Sequence, residues 1–239
     1  MTTAIISSHP HISRGFAAGL AARATQWRPG LGGVVRHSEV FASASEASGA
    51  AAVLALQLDQ ADPQHAERPW LWVQDKAARR LGGRPYRPGL PSPLRHRLIH
   101  VAADKPEDAL FALEEGLRCR DLAFVVGEIA GNPKALGLTA SRRLSLAAQK
   151  HGTPLWLVRL DAKRDLGSAR MRWDVRSVPS QPPQWNAAAP GTPAWEAELF
   201  RAHTWQPGRW MLEENGSDLG ARTSGSSALA DPSHQVRSA

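Results

Sequence analysis

The sequence predicts an α/β fold with a mostly parallel central sheet, helices on both faces of the sheet, and antiparallel strands at its C-terminal edge. Two observations lead to this prediction. Between residues 34 and 160, short apolar runs alternate with segments of helical periodicity, which is the pattern of β-α-β crossovers. After residue 160, segments of alternating polar and apolar residues follow one another with no helix between them, which is typical of antiparallel strands.

The individual elements follow from apolar spacing and from residues that begin helices. Apolar or alternating runs predict strands at 34–41, 70–73, 98–103, 123–129, 154–160, 171–178, 194–202 and 209–214. Apolar residues four apart predict a helix over 13–26. A second helix is predicted over 50–60, after the loop of small residues that follows the first strand. We expect Asp104 and Thr139 to cap two further helices, because short polar side chains accept from the free N–H groups of a first turn.

Composition divides the 239 residues into three segments, which are an N-terminal helix and linker (1–33), a core domain (34–214) and a disordered tail rich in Ser, Gly and Ala (215–239). The hydrophobic share of 42% and the charged share of 21% are ordinary for a globular protein. A single cysteine, Cys119, excludes a disulfide scaffold and indicates a reducing compartment. We expect Cys119 to be a buried structural thiol and the protein to be cytoplasmic, with no membrane association.

The segment from His37 to Val53 has the layout of a phosphate-binding loop without its chemistry. Such a loop follows a strand, opens a helix and needs the pattern G-x-x-x-x-G-K-[ST]. With Gly49 as the second glycine, the first falls on Ala44, the lysine on Ala50 and the hydroxyl on Ala51. The charge that holds the phosphates and the hydroxyl that binds Mg²⁺ are therefore absent, and we expect neither ATPase activity nor a cofactor.

The strand that would supply a metal-binding carboxylate is equally degenerate. Within the predicted strand 123–129, the apolar residues are expected to end at Gly127, where the carboxylate should stand, and Glu128 comes one residue late. The histidine pairs at 9 and 11 and at 96 and 100 have no third ligand at useful spacing, so no metal site is predicted.

An excess of positive charge favours a polyanion, or a protein that sits on one, as partner. Lys and Arg number 29 against 22 Asp and Glu, which gives a net charge of +7. Two basic segments supply candidate contacts with DNA or a partner, namely Arg79, Arg80, Arg84, Arg87, Lys163, Arg164, Arg170 and Arg172. Of the nine tryptophans, we expect most in the core, and Trp185 and Trp205 in loops where they could anchor a protein interface.

The order of these segments resembles the core of the RecA recombinase family with its ATP site erased. HSEVFASASEASG matches the phosphate loop, PWLWVQDKAARRLG the second strand and its helix, CRDLAFVVGEIAG the metal-binding strand, and QKHGTPLWLVRL the strand before the second DNA-binding loop. More specifically, LRCRDLAFVVGEIAG, LTASRRLSLAAQKHG and PGRWMLEE resemble the ImuA family, whose members are RecA-like. The resemblance covers residues 34–214 and implies a RecA-like core with a degenerate P-loop.

The resemblance implies a non-catalytic accessory protein of damage-induced (SOS) translesion mutagenesis. Its implied partners are an ImuB-type inactive polymerase relative and an error-prone DNA polymerase, with a link to RecA and only weak or indirect contact with DNA. A cell-division inhibitor resembling SulA, also RecA-derived and without a phosphate loop, is the alternative, although the arginine-rich segments fit a DNA-side role better. A nucleotide-dependent enzyme with a nonstandard loop is disfavoured by Ala50 and Ala51.

Overall fold

The computed structural model describes residues 25–30, 36–61, 63–215 and 218–223. Its strands are β1 (Thr25–Gln26), β2 (His37–Ala42), β3 (Trp70–Gln74), β4 (Leu98–Ala102), β5 (Val125–Ala130), β6 (Leu155–Leu160), β7 (Met171–Ser177), β8 (Ala194–Ala202), β9 (Trp205–Gln206), β10 (Gly208–Asn215) and β11 (Asp218–Thr223). Its helices are α1 (Ser48–Asp59), α2 (Lys76–Gly82), α3 (Ser92–Arg95), α4 (Pro106–Arg118) and α5 (Leu138–His151).

Nine strands form one sheet in the order β11-β10-β8-β7-β2-β6-β5-β3-β4. The strands from β7 to β4 in this order are parallel to one another, whereas β8, β10 and β11 are antiparallel to their neighbours. The predicted α/β class, with a mostly parallel sheet and antiparallel strands at the C-terminal edge, is confirmed.

Helices cover both faces of the sheet, as predicted, and enclose two separate hydrophobic cores. Helix α1 packs on one face, over a core that extends from Trp70 on β3 to Trp210 on β10. Helices α4 and α5 pack together on the other face, over the parallel strands alone. Strands β3 and β6 are buried along their whole length, which explains why their sequences are apolar without alternation. None of the described helices combines the length and the apolar character needed to cross a membrane.

Two helix starts differ from the prediction. Helix α4 begins at Pro106 with Lys105 as its cap, and Asp104 lies one residue further out. Proline at the first position presets φ and has no N–H that needs an acceptor, which reduces the need for a side-chain cap. Helix α5 begins after Gly137, so Thr139 is inside the helix. The side chain that does cap a helix is Asp75, which accepts from the Ala78 N–H of α2 at 2.7 Å.

Both ends of the described chain pair with the C-terminal strands. Residues 25–26, the end of the predicted N-terminal helix, form β1, which runs parallel to β9; residues 13–24 lie outside the described part. At the other end, 218–223 lie within the predicted disordered tail but form β11 against β10. The open edge of β10 offers a row of main-chain donors and acceptors, and backbone pairing there does not require large apolar side chains.

A cluster of three tryptophans attaches the N-terminal segment to the core. The Trp27 ring meets Trp173 of β7 with 4.9 Å between centroids and Trp210 of β10 with 5.3 Å, both edge to face. Trp173 and Trp210 contact each other at 5.8 Å. All three rings are buried, although Trp27 lies in the predicted N-terminal segment and the other two lie on strands expected to have one exposed face. Their buried face is the one under α1.

Replacing Trp27 by alanine is expected to lower the free energy of unfolding by about 3–5 kcal/mol, the usual cost of emptying a buried aromatic site. Trp185 provides the matched control because its side chain is 80% exposed, and Trp185→Ala should change stability by no more than about 0.5 kcal/mol. Urea unfolding followed by circular dichroism measures both. Equal, small effects of the two substitutions would contradict burial of Trp27.

Candidate functional site

The carboxyl end of β2 is the place where the direction of strand order reverses. The chain leaves β2 toward β3 on one side and later adds β7 on the other side. In open α/β sheets such a switch point forms the crevice that usually binds ligands. Three loops meet here, 43–47, 131–137 and 161–170. Asn132 joins two of them, because its side chain accepts from the Lys163 N–H at 2.7 Å and donates to the Lys163 carbonyl at 3.0 Å.

The loop after β2 is closed on a carboxylate of the same chain. Ala44 N–H donates to Asp161 Oδ1 at 2.9 Å, and the Ser43 hydroxyl lies 3.4 Å from the same oxygen. Asp161 directly follows β6, donates its own N–H to the Ala42 carbonyl at 3.0 Å, and has a φ of 49°. This left-handed conformation is uncommon for a residue other than glycine. Asp161 thus places a negative charge beside the loop where the phosphate-loop pattern would place phosphate.

The remaining positions of the phosphate-loop pattern serve packing. A Cβ on Gly49 would lie 2.8 Å from the Ala42 Cβ and 3.0 Å from a methyl of Val158, so glycine is required for α1 to approach the sheet. Ala50 and Ala51, where the pattern needs lysine and a hydroxyl, are half-buried and pack against the hydrophobic core. Neither position carries a group that could hold a nucleotide or a metal.

Gly127 and Glu128 lie inside β5, which continues to Ala130, so the expected strand end at Gly127 is wrong. A Cβ on Gly127 would come within 2.9 Å of leucine methyls from α4 and β6, which explains the glycine. The buried Glu128 carboxylate accepts from Trp72 Nε1 at 3.0 Å and from Gln74 Nε2 at 2.8 Å. Burial raises the pKa of Glu128 against the effect of these two bonds. It is a structural carboxylate two strands away from the loop after β2.

Alternate residues of β2 place polar groups under the α5 side of the sheet. His37 Nδ1 lies 2.6 Å from the Ser145 hydroxyl of α5. Glu39 pairs with an arginine of β7, and two guanidinium groups lie over the Phe41 ring. Burial, together with the charge of Arg172, lowers the pKa of His37 to about 3, so this imidazole is neutral at physiological pH.

A buried ion pair joins β2 to β7. Arg172 Nε donates to Glu39 Oε2 at 2.7 Å, and the two side chains are only 4% and 1% exposed. Asp165 lies 3.9 Å from Arg172 and 3.6 Å from the buried Arg159. The guanidinium groups of Arg172 and Arg159 also lie over the Phe41 ring, at 5.1 and 5.6 Å from its centroid. A side chain paired in this way does not reach a partner's surface, which removes Arg172 from the candidate DNA contacts.

The other candidate contacts in loop 161–170 differ in whether their charge is paired within the protein. Arg164 pairs with Asp174 at 2.9 Å and with Glu198 at 2.8 Å, and its guanidinium lies 4.1 Å from the Phe200 ring centroid. Lys163 and Arg170 are exposed, and in the described part of the chain neither has a carboxylate within ion-pair distance.

The basic segment after β3 is partly tied to the protein itself. Arg79 donates to the carbonyl that follows β4 at 3.0 Å, and Arg87 donates to the first carbonyl of β4 at 3.1 Å. Arg80 and Arg84 are exposed. Burial and then the charges of Arg84, Arg79 and Arg87 lower the pKa of His100 on β4. The segment is therefore a positive patch in which two guanidinium groups, those of Arg80 and Arg84, have no ion-pair partner among the described residues.

Three charged residues of this region were not anticipated as site residues, namely Glu39, Arg159 and Asp161. Glu39 and Arg159 stand in strands that are buried on both faces, and a charge in such a strand requires a partner. That rule offers a sequence-level indication for both. Asp161 has no such indication, because its contact depends on the meeting of two loops that are far apart in sequence.

Cys119 is exposed, so the expectation of a buried structural thiol is wrong. It follows α4 as its cap residue, where the chain turns away from the helix. Across the described ranges, no three His, Cys, Asp or Glu side chains are arranged to hold a metal ion.

Comparison with known proteins found no matching family model and no matching curated protein. The carboxyl end of the sheet is therefore described by two features of this chain itself. These features are a loop closed on Asp161 and a buried Glu39–Arg172 pair.

Replacing Glu39 by glutamine leaves the Arg172 guanidinium buried without its counter-charge, and we expect a loss of about 3–5 kcal/mol in the free energy of unfolding. The control is Glu196→Gln, since Glu196 pairs with the exposed Arg176 and such a pair contributes only about 0–1 kcal/mol. Denaturant unfolding at pH 7 distinguishes the two. A smaller loss for Glu39→Gln than for Glu196→Gln would contradict the burial of the first pair.

His37 makes stability depend on pH below neutrality. Its folded-state pKa of about 3 lies below the ordinary 6.5. Between these two pH values the imidazole is protonated in the unfolded chain but not in the folded one. Stability is therefore fully present above pH 6.5 and falls toward pH 3, by about 1.4 kcal/mol per pH unit well inside that window. We expect His37→Asn to show a shallower decline than the unsubstituted protein in unfolding experiments between pH 7 and 4. Parallel declines would show that His37 takes up its proton in the folded state.

Proposed function

We propose that this chain is a non-catalytic, RecA-like accessory protein of damage-induced translesion mutagenesis, similar to the ImuA family. In this role it acts by binding an ImuB-type inactive polymerase relative, an error-prone DNA polymerase and RecA. The observation that carries the non-catalytic part is the contact of Ala44 N–H with Asp161. A carboxylate that already accepts from the loop repels phosphate and uses the donor that a nucleotide would need.

The arrangement of the strands supports the RecA-like part of the proposal. The segments that resemble the phosphate-loop strand, the second strand, the metal-binding strand and the strand before the second DNA-binding loop are β2, β3, β5 and β6. They are consecutive in the sheet, in the order β2-β6-β5-β3. Sequence similarity alone did not require these segments to be neighbours with a common direction.

An exposed tryptophan supports the protein-binding part. Trp185 lies in the proline-rich connection between β7 and β8, with 80% of its surface exposed. Exposing so much apolar surface is unfavourable in the free protein, and tryptophan is enriched among the residues that dominate binding energy at interfaces. The connection leaves β7 at the carboxyl end of the parallel strands, where the Ser177 N–H donates to Glu46 of the loop after β2 at 2.6 Å.

We expect ATP with Mg²⁺ to leave the melting temperature where Mg²⁺ alone leaves it. A ligand that binds only the folded state must raise stability in proportion to its occupancy. Differential scanning fluorimetry at millimolar nucleotide measures this, with RecA as the positive control. A saturable rise with ATP would overturn the non-catalytic proposal.

We expect a stable complex with an ImuB-type protein or with RecA, and a weaker one when Trp185 is replaced. Size-exclusion chromatography with light scattering, at physiological salt and micromolar concentration, detects the complexes. Trp185→Ala should weaken binding at least about tenfold if this side chain is an anchor, and Leu166→Ala is the matched control because Leu166 is exposed in another loop.

Two results would count against the proposal. The first is the absence of a complex with either partner at tens of micromolar. The second is a complex with the cell-division GTPase in their place, which would favour the SulA-like function. Equal binding by Trp185→Ala and by the unsubstituted protein would be compatible with the proposed partners but would exclude Trp185 as the anchor.

A further inference from the structure

A cationic groove lies at the other end of the sheet, where the parallel strands begin. Its walls are α5, the segment before β7 and the turn between β8 and β9, and its volume is about 770 Å³. Four arginines line it, Arg36, Arg142, Arg170 and Arg201. No Asp or Glu is among the described residues that line this groove.

The positive charge of the groove is not neutralised by ion pairs among the described residues. Arg142 and Arg170 are exposed, and within the described ranges neither has an ion-pair partner. Arg201 has only a carbonyl, that of Gly167 at 3.5 Å, and Arg36 donates to the carbonyl of Gly152. These two contacts hold guanidinium groups in place without reducing their charge.

The base of the groove carries polar groups in a fixed arrangement. The Ser145 hydroxyl lies 2.6 Å from both His37 Nδ1 and the Ser168 hydroxyl. Ser168 is held in turn by Ser141, which accepts from its N–H at 2.9 Å. His37 is buried, and its Nε2 has no hydrogen-bond partner in the part of the chain that the structure describes. Hydroxyls beside guanidinium groups suit a polar ligand such as a phosphate.

An aromatic side chain completes the lining. The half-buried Trp205 belongs to β9, whose pairing with β1 fixes its backbone. Guanidinium groups that bind phosphates, combined with an aromatic face for a base, form the arrangement that binds single strands without sequence preference. An acidic peptide would match the charge but would give Trp205 no stacking partner. The segment that precedes β1, residues 1–24, has two arginines and no carboxylate, so it does not supply the anion.

We propose that this groove binds single-stranded nucleic acid, with Arg142, Arg170 and Arg201 on phosphates and Trp205 against a base. The site is separate from the carboxyl end of the sheet and from Trp185. On this proposal the protein contacts nucleic acid directly. The proposal does not depend on the protein partners proposed above.

The test is the binding of the full-length protein to a fluorescein-labelled oligothymidylate longer than about 16 nucleotides, which covers the known range of site sizes. Fluorescence anisotropy is recorded over a salt series. The double variant Arg142→Glu/Arg170→Glu should bind at least about tenfold more weakly, and its logarithmic salt slope should be smaller by about 1.4, or 0.7 for each lost phosphate contact. Trp205→Leu should weaken binding at least about fivefold.

The matched control is Arg80→Glu/Arg84→Glu, which removes the same charge from two exposed arginines of the segment after β3. It should change affinity and salt slope much less than the groove variant does, and thermal unfolding verifies that both variants fold. Equal weakening by the two double variants would show a diffuse charge effect and overturn the proposal. Absence of oligonucleotide binding would also overturn it, as would groove-dependent binding of polyglutamate that displaces the oligonucleotide.

Discussion

The pairing of Glu39 with Arg172 is the interaction on which the two halves of the sheet depend. These residues stand directly opposite each other where β2 meets β7, and β7 is the last parallel strand before the antiparallel ones. A slip of one residue would turn Arg172 to the other face and leave Glu39 as an isolated buried charge. The pair therefore specifies the register of β7, and through β7 it specifies the positions of β8 and β10. Apolar side chains alone would tolerate more than one register here.

Local sequence pattern was sufficient for the parallel half of the fold. Runs such as WLWV and LWLV have few stable alternatives to a strand buried on both faces. The helix starts at Asp104 and Thr139 were missed locally, whereas three larger failures share one physical cause, which is contact between distant parts of the chain. Strands β1 and β11 exist because other strands offer open edges, and Asp161 reaches a loop more than a hundred residues away. The sequence alone showed that Ala50 and Ala51 lack phosphate-loop chemistry, but it did not predict that the Asp161 carboxylate lies beside that loop.

The basic composition concealed two populations of arginine. Those on the face of β7, β8 and β10 that no helix covers are matched by acidic residues on neighbouring strands, as with Arg176 and Arg209. Those around the start of β2 have no such partners. Net charge describes how strongly a protein attracts polyanions at a distance, whereas the pattern of local neutralisation decides where one can settle. Arg172 and Arg170 illustrate the difference, since they are two residues apart and belong to opposite populations.

The attachment of Trp27 to Trp173 and Trp210 has a consequence for synthesis on the ribosome. Trp27 leaves the exit tunnel long before its partners on β7 and β10 have been translated, and at about 5–20 residues per second the delay is on the order of ten seconds or more. During this interval the parallel strands can form a nascent sheet, but the indole of Trp27 lacks the tryptophan rings against which it packs in the folded protein. The newborn chain thus carries an exposed aromatic group that a chaperone can hold until the last strands emerge.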